Sequence, residues 1–125
     1  FEKLLIMNNV TYKGELPFKG VVEKLLPTFD AGIIPHHQSR FAQSNDPLKI
    51  YDYLRAGLPV ISTIPTAEKS IIDFVYLAET PQEFTEKLSK ALDENTEEKV
   101  EQRKEVMKNL TWKKRVSEMI TRIQL

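Results

Sequence analysis

The stretch from Ser44 to Asp52 (Ser-Asn-Asp-Pro-Leu-Lys-Ile-Tyr-Asp) concentrates the side chains best suited to hold a charged ligand. Asp46-Pro47 reads as a helix start. Asp is a favoured N-cap, and proline at the first helical position gives up only an N–H that would be unpaired there anyway. The free N–H groups and the dipole of such an end attract a phosphate. Lys49, in the first turn, is unfavourable to that dipole unless an anion is present. Asp52, on the same helix, can accept hydrogen bonds from ribose hydroxyls at the same mouth. Plainer readings compete: Asp46 as a cap worth about 1 kcal/mol, Lys49 as a surface lysine, and Asp52 as a solvated carboxylate, the common state of an acid.

Other residues carry weaker signals. His36 and His37 are adjacent and lack the i, i+4 spacing of a helical zinc pair, so His36 fits a pocket lining better than a metal site. Arg40, in the same loop, reads either as a phosphate contact or as solvated. No Asp-x-Asp, P-loop pattern or Ser-His-Asp assembly occurs. There is no cysteine, which rules out thiol chemistry and disulfides and fits a reducing cytoplasm. Eighteen Lys and Arg balance eighteen Asp and Glu, whereas nucleic-acid binders usually carry a basic excess. Lys113, Lys114 and Arg115 form a basic cluster, read as a solvated helix face or as a peripheral contact with an anionic membrane surface.

The elements that must position these groups alternate. Asn9 to Gly14 reads as a strand closed by a glycine turn. Val22, Leu25, Leu26 and Phe29 share one helix face. Asp30 to Pro35 reads as a buried strand, and His36 to Asn45 as a loop. The Asp46 helix buries Ile50 and Leu54 and ends at Gly57. Leu58 to Ser62 is a strand, Thr63 to Ser70 a polar linker, and Asp73 to Ala78 another strand. Thr80-Pro81-Gln82-Glu83 is a capping box ahead of Phe84, Leu88, Ala91 and Leu92. After an acidic break at 93–98, one helix carries Val100, Arg103, Met107 and Leu110. A last helix, capped by Thr111, carries Trp112, Val116, Met119, Ile120 and Ile123 as a buried stripe. This is the order of an α/β domain, a Rossmann-like doubly wound parallel sheet flanked by helices. With 125 residues it is one domain at most, and the low strand count suggests part of a larger one. Ligands of such sheets bind outside the carboxyl ends of the strands. Two loops qualify: Pro35 to Asp46, and Gly14 to Phe18, which includes Leu16.

The ordered set Asn9-Val10, Gly14, Pro17, Phe29 to Pro35 and Ser44 to Ser62 resembles the C-terminal, nucleotide-sugar-binding domain of GT-B glycosyltransferases of the retaining family 4 (group 1) type. Asp46 to Ser62 is its specific part. The resemblance implies that residues 1–125 are part of the donor-binding domain, with the acceptor domain and its catalytic side chains outside this chain. The family places two acids eight residues apart, the second on the donor ribose. That second acid falls on Asp52, in place of the usual Glu. The first falls on Ser44, a departure from the pattern: either Asp46, two residues later, serves in its place or the contact is lost, and Asn45 lies between them. The amides that receive the diphosphate fall at Leu48 and Lys49. Gly14, Leu16 and His36 complete the expected donor site.

The function so implied is hexosyl transfer from a nucleotide diphosphosugar to a saccharide or lipid-linked acceptor, without cofactor or obligatory metal. It would take place in the cytoplasm at the inner face of the membrane, in bacterial surface-polysaccharide synthesis. This piece alone is expected to be inactive and of marginal stability. Two rivals stay open. A GT-B nucleotide-sugar epimerase would need cleft acids supplied from elsewhere. A non-enzymatic α/β interaction module of the receiver kind would need an acidic pocket at strand ends, and Asp30 stands at the start of its strand.

Overall fold

The computed structural model describes residues 2–123. Its centre is a parallel three-stranded sheet, β1 (Gly32–Ile34), β2 (Val60–Ser62) and β3 (Val75–Leu77), in that spatial order. Gly32 pairs with Val60 and Val60 with Val75, so Gly32, Val60 and Val75 share one face and Ile33, Ile61 and Tyr76 the other. The three strands expected at 30–35, 58–62 and 73–78 are present in shortened form.

Chain order follows from local chemistry. α1 (Glu2–Leu5) is a single turn. Residues 9–14, expected as a strand, are not one: all but the half-buried Val10 are exposed, and they pair with no strand. The helix expected at 22–29 is broken into three: α2 (Phe18–Gly20), a π turn (Val21–Leu25) and a 3₁₀ turn (Leu26–Thr28). Pro27 lacks the N–H that would continue it, so Phe29 leaves in extended geometry and only Leu26 of the expected face is buried. Within the expected loop 36–45 lies one short turn, α3 (Arg40–Gln43), capped by Ser39, whose Oγ accepts the Ala42 N–H at 3.1 Å.

α4 (Leu48–Arg55) buries Ile50 and Leu54 as the spacing requires. It closes in a Schellman motif: the Leu58 N–H reaches Tyr53 O at 3.0 Å and the Gly57 N–H reaches Leu54 O at 2.9 Å. Gly57 sits at φ +83° to make that turn. β2 is buried along its length. A 3₁₀ segment (Lys69–Phe74) then carries the chain back to β3, where linker and strand were expected. Ile71 and Phe74, three apart, eclipse on such a helix, and both pack into the core.

α5 (Pro81–Asp93) starts at the expected cap, with Thr80 Oγ1 accepting the Glu83 N–H at 3.1 Å. α6 (Glu97–Asn109) buries Arg103 and Met107. α4 and α6 cover the face of Ile34 and Val60, where the main core lies with Ile50, Leu54, Ile64, Ile71 and Met107. α5 packs on β2 and β3. Ile33, on the other face of β1, remains 48% exposed.

α7 (Trp112–Ile123) is present and capped by Thr111, whose Oγ1 accepts the Lys114 N–H at 3.3 Å. Its apolar stripe, expected to be buried, is not. Trp112 is 81% exposed, and Val116, Met119, Ile120 and Ile123 are exposed with it. The helix is amphipathic, and its apolar side is left largely exposed.

Candidate functional site

In a parallel sheet all carboxyl ends lie at one edge. The connections that leave β1, β2 and β3, and the amino end of α4, therefore share that edge. Polar bonds stitch it together. Thr63 Oγ1 donates to His36 O at 2.6 Å, and the Thr63 N–H donates to Ile34 O at 3.1 Å. Gln38 Nε2 donates to Glu79 O at 3.1 Å and to Thr63 O at 3.4 Å, spanning the exits of β2 and β3. Gln38, Gln43, Thr63, Pro65, Leu77 and Glu79 line an open cleft of about 490 Å³ there. A larger depression, about 550 Å³, lies along the outer side of α5, away from the strand ends.

At the α4 entrance the two acids have different environments. Asp46 does not cap the helix: Pro47 takes that position and no side chain caps it. The Asp46 carboxylate instead accepts the Tyr51 hydroxyl on Oδ2, and the Thr66 hydroxyl (3.0 Å) and Ala67 N–H (3.3 Å) on Oδ1. Burial, with the Asp46 carboxylate alongside, pushes the Tyr51 phenol up to about 12. Asp52 lies two residues from both Ile50 and Leu54, roughly 200° round the helix, and so points away from the core. It is half-buried, and its carboxylate makes no hydrogen bond among the described residues. That burial raises its carboxyl above the ordinary aspartate value, against a smaller pull from Arg55.

The amides of Leu48 and Lys49 have no acceptor among the described residues, and the side chains of both are exposed. Ser44 is turned inward on its own helix turn, its Oγ donating to Phe41 O at 2.8 Å. Asn45 and the His36 side chain are exposed. Gly14 has φ +69° and stands in open space, and Leu16 is exposed. No hydrogen bond joins Gly14 or Leu16 to α4. None of the nine residues expected at the site lines the 490 Å³ cleft. Two of them are close in sequence to its lining: His36 to Gln38, and Ser44 to Gln43.

Thr63, Thr66 and Glu79 had no motif to announce them. The signal available was positional: polar residues just past apolar strands. Among the described residues no group of three or more His, Cys, Asp or Glu is arranged to hold a metal ion. No helix among them is long and apolar enough to cross a membrane.

Over 117 residues, 90% of the chain, the sequence is 32% identical to the Bacillus subtilis (strain 168) protein named "Putative teichuronic acid biosynthesis glycosyltransferase TuaH". This ties the chain to glycosyltransferases. The chain spans 29% of that relative's length. No family model matches the chain. No solved structure matches it.

Proposed function

We propose that this chain is the donor-binding part of a GT-B glycosyltransferase of the family 4 type, which takes its sugar from a nucleotide diphosphosugar. The observation that carries the reading is the α4 entrance. Two unaccepted amides, Leu48 and Lys49, stand at a helix amino end, and a hydrogen-bond-free carboxylate, Asp52, follows one turn later. Amides at a helix start suit a diphosphate. An acid without donors, partly out of water, suits a pair of ribose hydroxyls. Lys49 adds positive charge where negative charge builds on the leaving diphosphate, and that stabilisation is the main catalytic contribution expected of this half. The relative's printed role supports surface-polysaccharide synthesis as the setting. An acceptor saccharide or lipid-linked glycan would be bound by a further domain, with the reaction on the cytoplasmic side of the membrane.

Titration calorimetry with UDP, GDP and ADP tests the reading. One of them is expected to bind saturably, and Asp52→Asn to weaken it by about tenfold, the equivalent of one charge-assisted hydrogen bond at about 1.4 kcal/mol. Equal affinity in wild type and Asp52→Asn would remove Asp52 from the site.

A further inference from the structure

Asp46 is an acid at the α4 entrance, and its carboxylate is occupied from inside the protein. The Tyr51 hydroxyl fixes Oδ2 from α4 itself. The Thr66 hydroxyl and the Ala67 N–H fix Oδ1 from the segment between β2 and the 3₁₀ turn. That segment supplies Thr63 and Pro65 to the cleft. Its start is tied to β1 through Thr63, and its end to α7 through Glu68, which accepts from Arg115 at 2.8 Å. Between these ties, Asp46 holds both residue 66 and residue 67, and Thr66 also meets the Tyr51 hydroxyl of α4. Thr66 continues the chain of bonds by accepting the Glu68 N–H at 3.3 Å.

We propose that Asp46 is a positioning residue: it clips the 63–68 segment to the amino end of α4 and so fixes the mouth through which a diphosphate reaches the Leu48 and Lys49 amides. The proposal rests on the donor-binding reading above and deepens it. Direct contact with phosphate is ruled out for Asp46 on chemical grounds. A carboxylate has no proton to give a phosphate oxygen and repels its charge. The clip works because both lobes of one carboxylate are used, one on each element. A neutral amide in its place can satisfy only part of the three donors.

The test compares Asp46→Ala, Asp46→Asn and Thr66→Val with the wild-type chain. Two readouts are taken: amide hydrogen exchange over residues 63–68, and affinity for UDP, GDP and ADP. The expected result for Asp46→Ala is exchange at 66 and 67 faster by about tenfold and nucleotide binding weaker by a similar factor. Asp46→Asn, which preserves shape if the alanine variant fails to fold, is expected to lie between. Thr66→Val leaves Asp46 intact yet is expected to reproduce part of both effects. Unchanged exchange in Asp46→Ala would overturn the clip. So would loss of binding in Asp46→Ala with Thr66→Val behaving as wild type, since that pattern belongs to a direct ligand. If the wild type binds none of the three nucleotides, the donor reading fails, and the exchange data still decide whether the clip exists.

Discussion

At the residue scale, half-burial without a hydrogen-bond partner makes Asp52 costly to the apo protein. Its carboxyl titrates higher in the folded chain than in the unfolded one. The sign follows from proton linkage: a raised folded value contributes stability below the unfolded pKa, about 4 for an aspartate, and that contribution is lost as pH rises through the folded value. Asp52→Asn is therefore expected to be more stable than wild type at neutral pH, with the gap closing as pH falls below about 4. Urea melts at pH 3 and pH 7 measure this directly. A lower midpoint for the variant at pH 7 would mean the carboxylate has a structural partner. A residue that costs the unliganded protein stability fits the binding role proposed for it. Arg103 is the opposite case. It is 1% exposed and bonds Gly57 O and Asn95 Oδ1, each at 2.7 Å, at the amino edge of the sheet, away from the proposed site. Burial lowers its pKa, and its contacts are structural.

At the scale of elements, α4 with its two flanking strands is the part whose sequence is locally consistent. Ile50 and Leu54 are spaced for one face, and Gly57 stands where a left-handed residue is needed. Gly57→Ala should destabilise by about 1–2 kcal/mol from the backbone alone. The added Cβ would also lie 2.7 Å from Val100 Cγ1 on α6. A urea midpoint unchanged from wild type would show that the Schellman turn is not as described. Gly32 permits the close approach of the Tyr53 ring to β1, with a Cβ built there only 2.3 Å from it. These features were legible because strand, helix and turn signals agree over 46–62. The site was legible only in part. Asp46 reads as an N-cap by residue type, but the carboxylate partners it finds in Thr66 and Ala67 are twenty or more positions away, beyond the reach of local pattern. The 9–14 segment failed for a related reason: alternating residue types suggest a strand, but a strand needs a neighbour to pair with. The 3₁₀ crossover was missed because a short i, i+3 apolar pair resembles either a strand end or a loop.

At the scale of the whole molecule, α7 is the long helix least joined to the rest. Arg115–Glu68 is its ion pair to the body of the fold, with the Arg115 side chain 44% exposed, and such pairs contribute about 0–1 kcal/mol. Among the long helices α7 should therefore show the fastest amide exchange, and iodide should quench Trp112 nearly as readily as a free tryptophan. Protection of α7 equal to that of α6 would show that its apolar side is covered in solution. At the opposite end of the stability range, the sheet, α4 and α6 share one core and should open together. The carboxyl edge lies between these extremes, tied by Thr63, Gln38 and Asp46.

The measurement that bears most directly on the central claim is an amide NMR titration of the wild-type chain with UDP, GDP and ADP in turn, repeated on Asp52→Asn. Saturable shifts confined to residues 36–52 and 63–67, reduced in the variant for the same nucleotide, are the result predicted by donor binding at the carboxyl edge of the sheet. Saturable shifts centred on the outer side of α5, or a well-dispersed spectrum that none of the three nucleotides moves, would contradict it.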